Sequence, residues 1–167
     1  MKIVYYSASG NTEKMANLIA EGIVNGGKSV AVVFWSGTGN TEAMADKVAE
    51  GAKEAGAEVS VFSAEDFSAD KVEEFDGLAF GCPAMGDEVL EENEFEPFVG
   101  EISSKISGKK VALFGSYGWG DGQWMRDWQE RMESLGCTLI DDGLIIQYEP
   151  EDNSSECIQL GMTIAKA

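Results

Sequence analysis

The chain has 167 residues, of which 30 are acidic and 12 basic, so its formal net charge is −18. This charge argues against nucleic acid or an anionic membrane as a partner and favours a basic protein partner. Apolar residues make up 44% of the sequence, in runs too short to span a membrane, so we expect a single cytoplasmic globular domain over residues 1–167.

The residue types also restrict the chemistry. The sequence contains no histidine, which removes His-based acid–base catalysis and His metal ligands. Cys82, Cys137 and Cys157 have no C-x-x-C spacing. We therefore expect buried thiols rather than a disulfide framework or a metal site.

Strands and helices alternate along the chain. Apolar runs predict strands at 2–6, 30–35, 58–62, 77–82, 109–115 and 138–147, the last with a break near 141–143. Apolar side chains at helical spacing predict helices at 11–26, 40–55, 92–106, 123–135 and 151–166, with a short one at 68–75. This alternation predicts an α/β fold with a doubly wound parallel sheet of six strands.

The first strand–helix unit occurs twice. Residues 3–31 align with 32–60 at an offset of 29 without gaps, and 13 of the 29 pairs are identical. Each copy has a loop rich in hydroxyl groups and glycine before its helix, at 7–13 and at 36–42. Backbone N–H groups at such a helix N-terminus can bind phosphate without a basic side chain, although ordinary N-capped turns have a similar composition.

Two further loops, at 83–88 and 116–122, also follow predicted strands. All these loops lie at the carboxyl edge of the sheet, which is where open α/β sheets bind ligands. Met85 and Trp119 lie in glycine-bearing loops and favour a flat aromatic ligand held between a thioether and an indole. The alternative is that both side chains belong to the core.

These motifs resemble those of short-chain flavodoxins of the clostridial type. The resemblance covers 32–167 and depends on three stretches: W-S-G-T-G-N-T-E at 35–42, G-C-P-A-M-G-D-E at 81–88 and L-F-G-S-Y-G-W-G at 113–120. Residues 1–31 add one βα unit to the family pattern. This departure indicates a duplication or an engineered chimera.

The resemblance implies FMN as the cofactor and no metal. One of two loops would bind its phosphate, either Ser7, Ala8, Ser9, Gly10, Asn11 and Thr12, or Ser36, Thr38, Gly39, Asn40 and Thr41. The isoalloxazine and ribityl groups would contact Pro83, Ala84, Met85, Gly86, Asp87, Glu88, Ser116, Tyr117, Gly118, Trp119 and Gly120. Met85 and Trp119 would flank the ring. The Gly86 peptide would bond to N5 of the reduced flavin, and Glu88 would accept a hydrogen bond from N3.

The resemblance further implies a low-potential one-electron carrier rather than an enzyme. Negative charge near the ring disfavours an anionic reduced flavin and would come from Asp87, Glu88, Glu91 and Glu92. We expect a monomer with basic redox protein partners. Two other interpretations remain open. One is an NAD(P)H-dependent FMN or quinone reductase, although the Gly-x-Gly-x-x-Gly motif of NAD(P)H-binding sheets follows none of the predicted strands. The other is an engineered scaffold with weak or no FMN binding.

The extra unit permits two strand orders, with the predicted strands counted along the chain from 2–6. The order 3-2-1-4-5-6 is Rossmann-like and inserts 2–6 between 30–35 and 77–82. The order 1-3-2-4-5-6 keeps 30–35 beside 77–82. We favour the first because it divides the helices equally between the two faces, and this choice makes the loop at 7–12 the favoured phosphate site.

Overall fold

The computed structural model describes residues 27–150 and 155–167, and the structural statements below refer to these residues. The strands are β1 (Ser29–Phe34), β2 (Glu58–Ser63), β3 (Gly77–Gly81), β4 (Lys110–Tyr117), β5 (Thr138–Leu139) and β6 (Leu144–Gln147). The helices are α1 (Asn40–Glu54), α2 (Phe95–Ile102), α3 (Gln123–Ser134) and α4 (Ser155–Lys166), and two short 3₁₀ helices span Ala64–Asp66 and Ala69–Glu74. None of these helices has both the length and the apolar composition that a bilayer crossing requires.

All six strands of the described residues form one parallel sheet with the order β2-β1-β3-β4-β5. β6 also pairs with β4, because β5 lies against the start of β4 and β6 against its end. The chain leaves the ladder between them at 140–143, where two aspartates and a glycine disfavour a strand. The doubly wound parallel sheet and the break in the last strand are therefore confirmed.

The favoured strand order is wrong for this structure. β1 pairs directly with β3, from Val30 opposite Gly77 to Phe34 opposite Gly81, so no strand lies between them. The described strands follow the alternative order, in which the connection from β2 to β3 passes over one strand instead of two. Short connections between neighbouring elements are the general preference in such sheets. The predicted strand at 2–6 and helix at 11–26 lie outside the described residues.

Apolar side chains cover both faces of the sheet. Alternate residues of β1 point to opposite faces, so Val30 and Val32 pack towards α1 and α4, while Ala31 and Val33 pack towards α2 and α3. All four are fully buried. Burial on both faces explains why this strand reads as a continuous apolar run in the sequence.

Helices α1 and α4 cross at two glycines. A Cβ atom on Gly51 would lie 2.0 Å from the carbonyl oxygen of Ile158, and a Cβ atom on Gly161 would lie 2.0 Å from that of Val48. No side chain fits in either gap. The two helix backbones are therefore in direct contact, and this contact fixes α1 and its preceding loop against the sheet.

Cys82, Cys137 and Cys157 are buried thiols, as the sequence predicts. Burial raises the pKa of the Cys82 thiol to about 12 and that of Cys137 to about 11. Both thiols are therefore protonated at neutral pH, which suits a packing role.

Candidate functional site

A cleft of about 460 Å³ opens at the carboxyl edge of the sheet. Its lining comes from the end of β4 and from the segments that follow β1, β3, β4 and β6, and consists of Trp35, Gly37, Thr38, Asn40, Pro83, Ala84, Met85, Ser116, Tyr117, Gly118 and Tyr148. β1 and β3 are neighbours, and the chain continues from them in opposite directions, to β2 and to β4. The cleft therefore lies at the topological switch point, where this class of sheet binds ligands.

The first wall of the cleft is the loop between β1 and α1. Gly39 occupies the N-cap of α1 with φ +93°, a conformation that favours glycine, and a Cβ atom there would meet open space. Its N–H donates to Oγ of Ser36 at 3.0 Å. Because Gly39 has no side chain, it cannot cap the first-turn amides of this 15-residue helix. An open cradle at a positive helix end fits a phosphate group.

Thr41 connects this loop to the end of β4. Its side chain is buried, and its Oγ1 lies 3.1 Å from Oγ of Ser116 in a hydrogen bond. The two hydroxyl groups hold the phosphate-type loop against the end of β4. Thr41 therefore contributes to the shape of the cleft, although it does not line it.

The second wall is a small hairpin after β3. Met85 and Val89 exchange two backbone hydrogen bonds of 2.9 Å each, and three residues form the turn between them. Gly86 in this turn has φ +45° with almost open space around its Cβ position. The hairpin presents the Met85 side chain, 38% exposed, to the cleft. A polarizable thioether at an open cleft is suited to contact with an aromatic ring.

Glu88 does not line the cleft. Its Oε1 accepts hydrogen bonds from the N–H groups of Gly122 and Gln123, at 2.8 and 2.9 Å, and so caps the N-terminus of α3. A Cβ atom on Gly120 would lie 2.4 Å from the Glu88 carboxyl carbon, so only glycine at 120 permits this approach. Glu88 is absent from the cleft lining, and the structure gives it a capping role that the sequence did not reveal.

Trp119 is 62% exposed and also lies outside the cleft lining. Its exposure rules out the interpretation of Trp119 as a core residue. Two aromatic residues that the motifs did not assign to the ring line the cleft instead, namely Trp35 and Tyr148. Trp35 is held in place by a hydrogen bond from its Nε1 to Oε2 of Glu94 at 2.9 Å. Trp35 lies within the recognised motif, whereas Tyr148 follows β6 and carries no motif.

Glu91 is buried and serves the fold. Its carboxylate accepts hydrogen bonds from the backbone N–H groups of Asn93, Glu94 and Phe95 at 2.8 to 3.0 Å, and from the Asn93 side chain at 3.0 Å. Burial alone would raise the pKa of this carboxyl, but the donated hydrogen bonds hold its pKa below the usual range. Glu91 thereby fixes the start of α2 at Phe95, later than the predicted residue 92.

The predicted site residues thus divide into three groups. The predicted ring residues that line the cleft, Pro83, Ala84, Met85, Ser116, Tyr117 and Gly118, do so together with Thr38 and Asn40 of the alternative phosphate loop after β1. The predicted site residues in or next to the loops after β1, β3 and β4 that lie outside the cleft lining are Ser36, Gly39, Thr41, Gly86, Asp87, Glu88, Trp119 and Gly120. The favoured phosphate residues at 7–12 lie outside the described part of the chain, and the strand order on which that preference depended is not the one observed.

Comparisons with known proteins agree with this geometry. A family model described as flavodoxin matches residues 32–161. The flavodoxin of Clostridium beijerinckii is 57% identical over 165 residues, which cover 99% of each chain. The flavodoxin of Megasphaera elsdenii is 50% identical over 167 residues, covering 100% of this chain and 99% of the relative.

Solved structures give the same result. The structure of two-electron reduced Megasphaera elsdenii flavodoxin superposes with a TM-score of 0.77 and 50% identity, over 83% of this chain and 99% of that chain. A flavodoxin from the domain Archaea superposes with a TM-score of 0.76 and 33% identity, over 83% of this chain and 96% of that chain. These likenesses favour an electron carrier over a reductase. The chain therefore belongs to the flavodoxin family, whose members are FMN-binding electron carriers rather than enzymes.

Proposed function

We propose that this protein carries single electrons at low potential on an FMN bound in the cleft at the switch point. The observation that supports this most is the combination of an uncapped α1 N-terminus with an exposed thioether in one cleft. Bound FMN supplies the redox chemistry. The chain binds and orients it, and sets the electrostatic field in which it is reduced.

The phosphate of FMN is proposed to bind to the loop after β1. In this loop the helix end faces the cleft, Gly39 leaves the cradle open, and Thr38 and Asn40 line the cavity. Backbone amides and hydroxyl groups can bind a phosphate there by hydrogen bonds without a lysine or arginine, and the loop contains neither.

Replacing both Thr38 and Asn40 with alanine is expected to weaken FMN binding about 100-fold, because each lost bond to the charged phosphate costs about 1.5 kcal/mol. The repeat offers a matched control, since Ser9 and Asn11 occupy the equivalent positions 29 residues earlier. Ser9→Ala with Asn11→Ala should leave the Kd within twofold. Titration of the FMN-free variants by flavin fluorescence measures both, and the reverse pattern would assign the phosphate to the first copy.

The ring is proposed to lie against Met85, with the Gly86 peptide at N5 and Trp119 covering the ring from its exposed loop. The positive φ of Gly86 and the open space around it allow this peptide to change orientation without a Cβ clash. Glu88 can accept from N3 of the flavin only if its carboxylate leaves, or shares, the amides of α3. Glu88 would thereby couple FMN binding to the start of α3.

Acidic residues near the cleft are proposed to lower the potential. Asp87 is exposed in the hairpin that carries Met85, and a negative charge there disfavours an added electron. Asp87→Asn should raise the potential of the second electron by roughly 20 mV, a small value because solvent screens the charge. Glu133→Gln, at the other end of α3, is the matched control and should change nothing. Potentiometry at low ionic strength measures both, and equal shifts would contradict a local field effect.

Basic redox proteins are the proposed partners, because a net charge of −18 attracts them over a distance. Exposed carboxylates of Asp87, Glu92 and Asp121 lie in the loops near the cleft and favour docking at this edge. Buried thiols without disulfides agree with a cytoplasmic location. Electron-transfer rates that fall with rising salt would support this proposal, and rates independent of salt would contradict it.

We also propose that residues 1–31 are an extra copy of the βα unit that follows them, because 13 of the 29 aligned pairs are identical. The superposition on the Megasphaera elsdenii structure leaves about a sixth of this chain without a counterpart, which is close to the size of one βα unit.

Potentiometry of the FMN complex tests whether the protein is a one-electron carrier. Two separate one-electron steps would support it, and a single two-electron step would contradict it.

A further inference from the structure

Tyr148 has an unusual backbone for a bulky residue. Its φ is +62°, in the left-handed region that Gly and Asn adopt more readily. The conformation is held by its N–H, which donates to the carbonyl oxygen of Tyr117 at 2.7 Å. The ring is nevertheless 63% exposed and lines the cleft. A strained residue with an exposed ring at a ligand cleft is a candidate for ligand contact.

The sheet places Tyr148 across the cleft from Met85. Met85 follows β3, Tyr148 follows β6, and β4 lies between these strands. Backbone bonds hold both to the end of β4, since Ala84 donates to Ser116 at 2.9 Å and Tyr148 to Tyr117. Strands two positions apart are separated by about 10 Å, and this distance accommodates a flat ring with a side chain on each side.

Gly118 forms the part of the cleft surface next to Tyr148. A Cβ atom on Gly118 would lie 3.8 Å from Cε1 of Tyr148, so the phenol ring lies close to this peptide with no side chain between them. The side chain of Gln147 adds a hydrogen bond to the Gly118 carbonyl oxygen at 3.4 Å. The segments after β4 and β6 are thereby joined on this side of the cleft.

We infer that Tyr148 is a flavin-contacting residue, whose phenol ring forms the wall of the isoalloxazine site on the β6 side, across from Met85 and next to the Gly118 loop that carries Trp119. The inference rests on the proposed function, because it requires FMN in this cleft. Stacking of a phenol on a flat aromatic ligand is favourable and also quenches flavin fluorescence. The left-handed backbone of Tyr148 then positions the ring for FMN, and it lowers the stability of the FMN-free protein.

Asparagine at this position separates ligand contact from a structural role. Asn tolerates a positive φ, so Tyr148→Asn should raise the melting temperature of the FMN-free protein by about 2–4 °C. The same variant should bind FMN about tenfold more weakly, and its saturated complex should fluoresce more brightly. Tyr148→Phe keeps the ring and should bind FMN within twofold of the parent.

The experiment compares the parent, Tyr148→Asn and Tyr148→Phe by thermal unfolding without FMN, by FMN titration, and by fluorescence yield at saturation. Two results would each overturn the inference: a Tyr148→Asn variant that matches the parent in Kd and fluorescence, or a Tyr148→Phe variant as weak as Tyr148→Asn. A parent that does not bind FMN would overturn the proposed function and this inference with it. Weaker FMN binding and brighter fluorescence in Tyr148→Asn, but not in Tyr148→Phe, would support the inference.

Discussion

Gly51→Ala is expected to lower the free energy of unfolding by about 3 kcal/mol, because its Cβ atom would meet a main-chain oxygen of α4 that no rotamer can move. The two helices would have to separate, and α1 would carry the phosphate loop with it. FMN affinity should therefore fall together with stability. Urea unfolding of the FMN-free protein measures the first effect and FMN titration the second.

Gly100 provides the matched control for Gly51. It lies within α2, is exposed, and a Cβ atom there would meet nothing within 4 Å. Gly100→Ala should therefore stabilise the protein by about 1 kcal/mol through helix propensity alone. Opposite signs in the two variants would establish the helix crossing as the cause. A Gly51→Ala variant as stable as Gly100→Ala would show that α1 and α4 can separate without cost.

Glu91→Gln is expected to cost about 3 kcal/mol at neutral pH. The buried carboxylate accepts four hydrogen bonds at the start of α2, and a neutral amide offers one weaker acceptor and an unwanted donor. Glu92→Gln is the neighbouring control, since that side chain is exposed, and it should change stability by less than about 0.5 kcal/mol. Denaturant unfolding of both variants measures the difference.

The cost of Glu91→Gln should depend on pH. The pKa of Glu91 is lower in the folded than in the unfolded protein, so its stabilisation is present above the usual value of 4.5. As the pH falls from there through the folded pKa, the unfolded chain takes up the proton first and the stabilisation is lost. The gap between the parent and Glu91→Gln should therefore narrow below pH 4.5, and a constant gap would contradict this account.

Local patterns in the sequence predicted most of the elements, because each signal lies within the element itself. The Asp141-Asp142-Gly143 stretch indicated the break between β5 and β6, for example, since these residue types disfavour strands. The favoured strand order was wrong because the strands of two similar βα units compete for one position in the sheet. Two similar βα units could each place a strand beside β3. The number of helices on each face of the sheet did not identify which unit does so.

The same difference between local and long-range signals explains which parts of the candidate site could be predicted. The loop at 36–41 and Met85 were recognisable because each belongs to a short motif at the end of a strand. The capping role of Glu88 depends on Gly122, 34 residues away, and the position of Tyr148 depends on the register of β6 against β4. Such long-range placements leave no trace in local composition.

The interruption of the last strand also bears on how the chain tolerates changes in length. β5 and β6 have separate registers on β4, and Gly143 is anchored to α3 by a hydrogen bond from its N–H to Oε1 of Gln129 at 2.7 Å. Residues inserted at the exposed pair Asp141-Asp142 would lengthen a surface loop, whose closure cost grows slowly with length. Evolution can therefore add a segment here while the end of β6 keeps its place beside the flavin cleft.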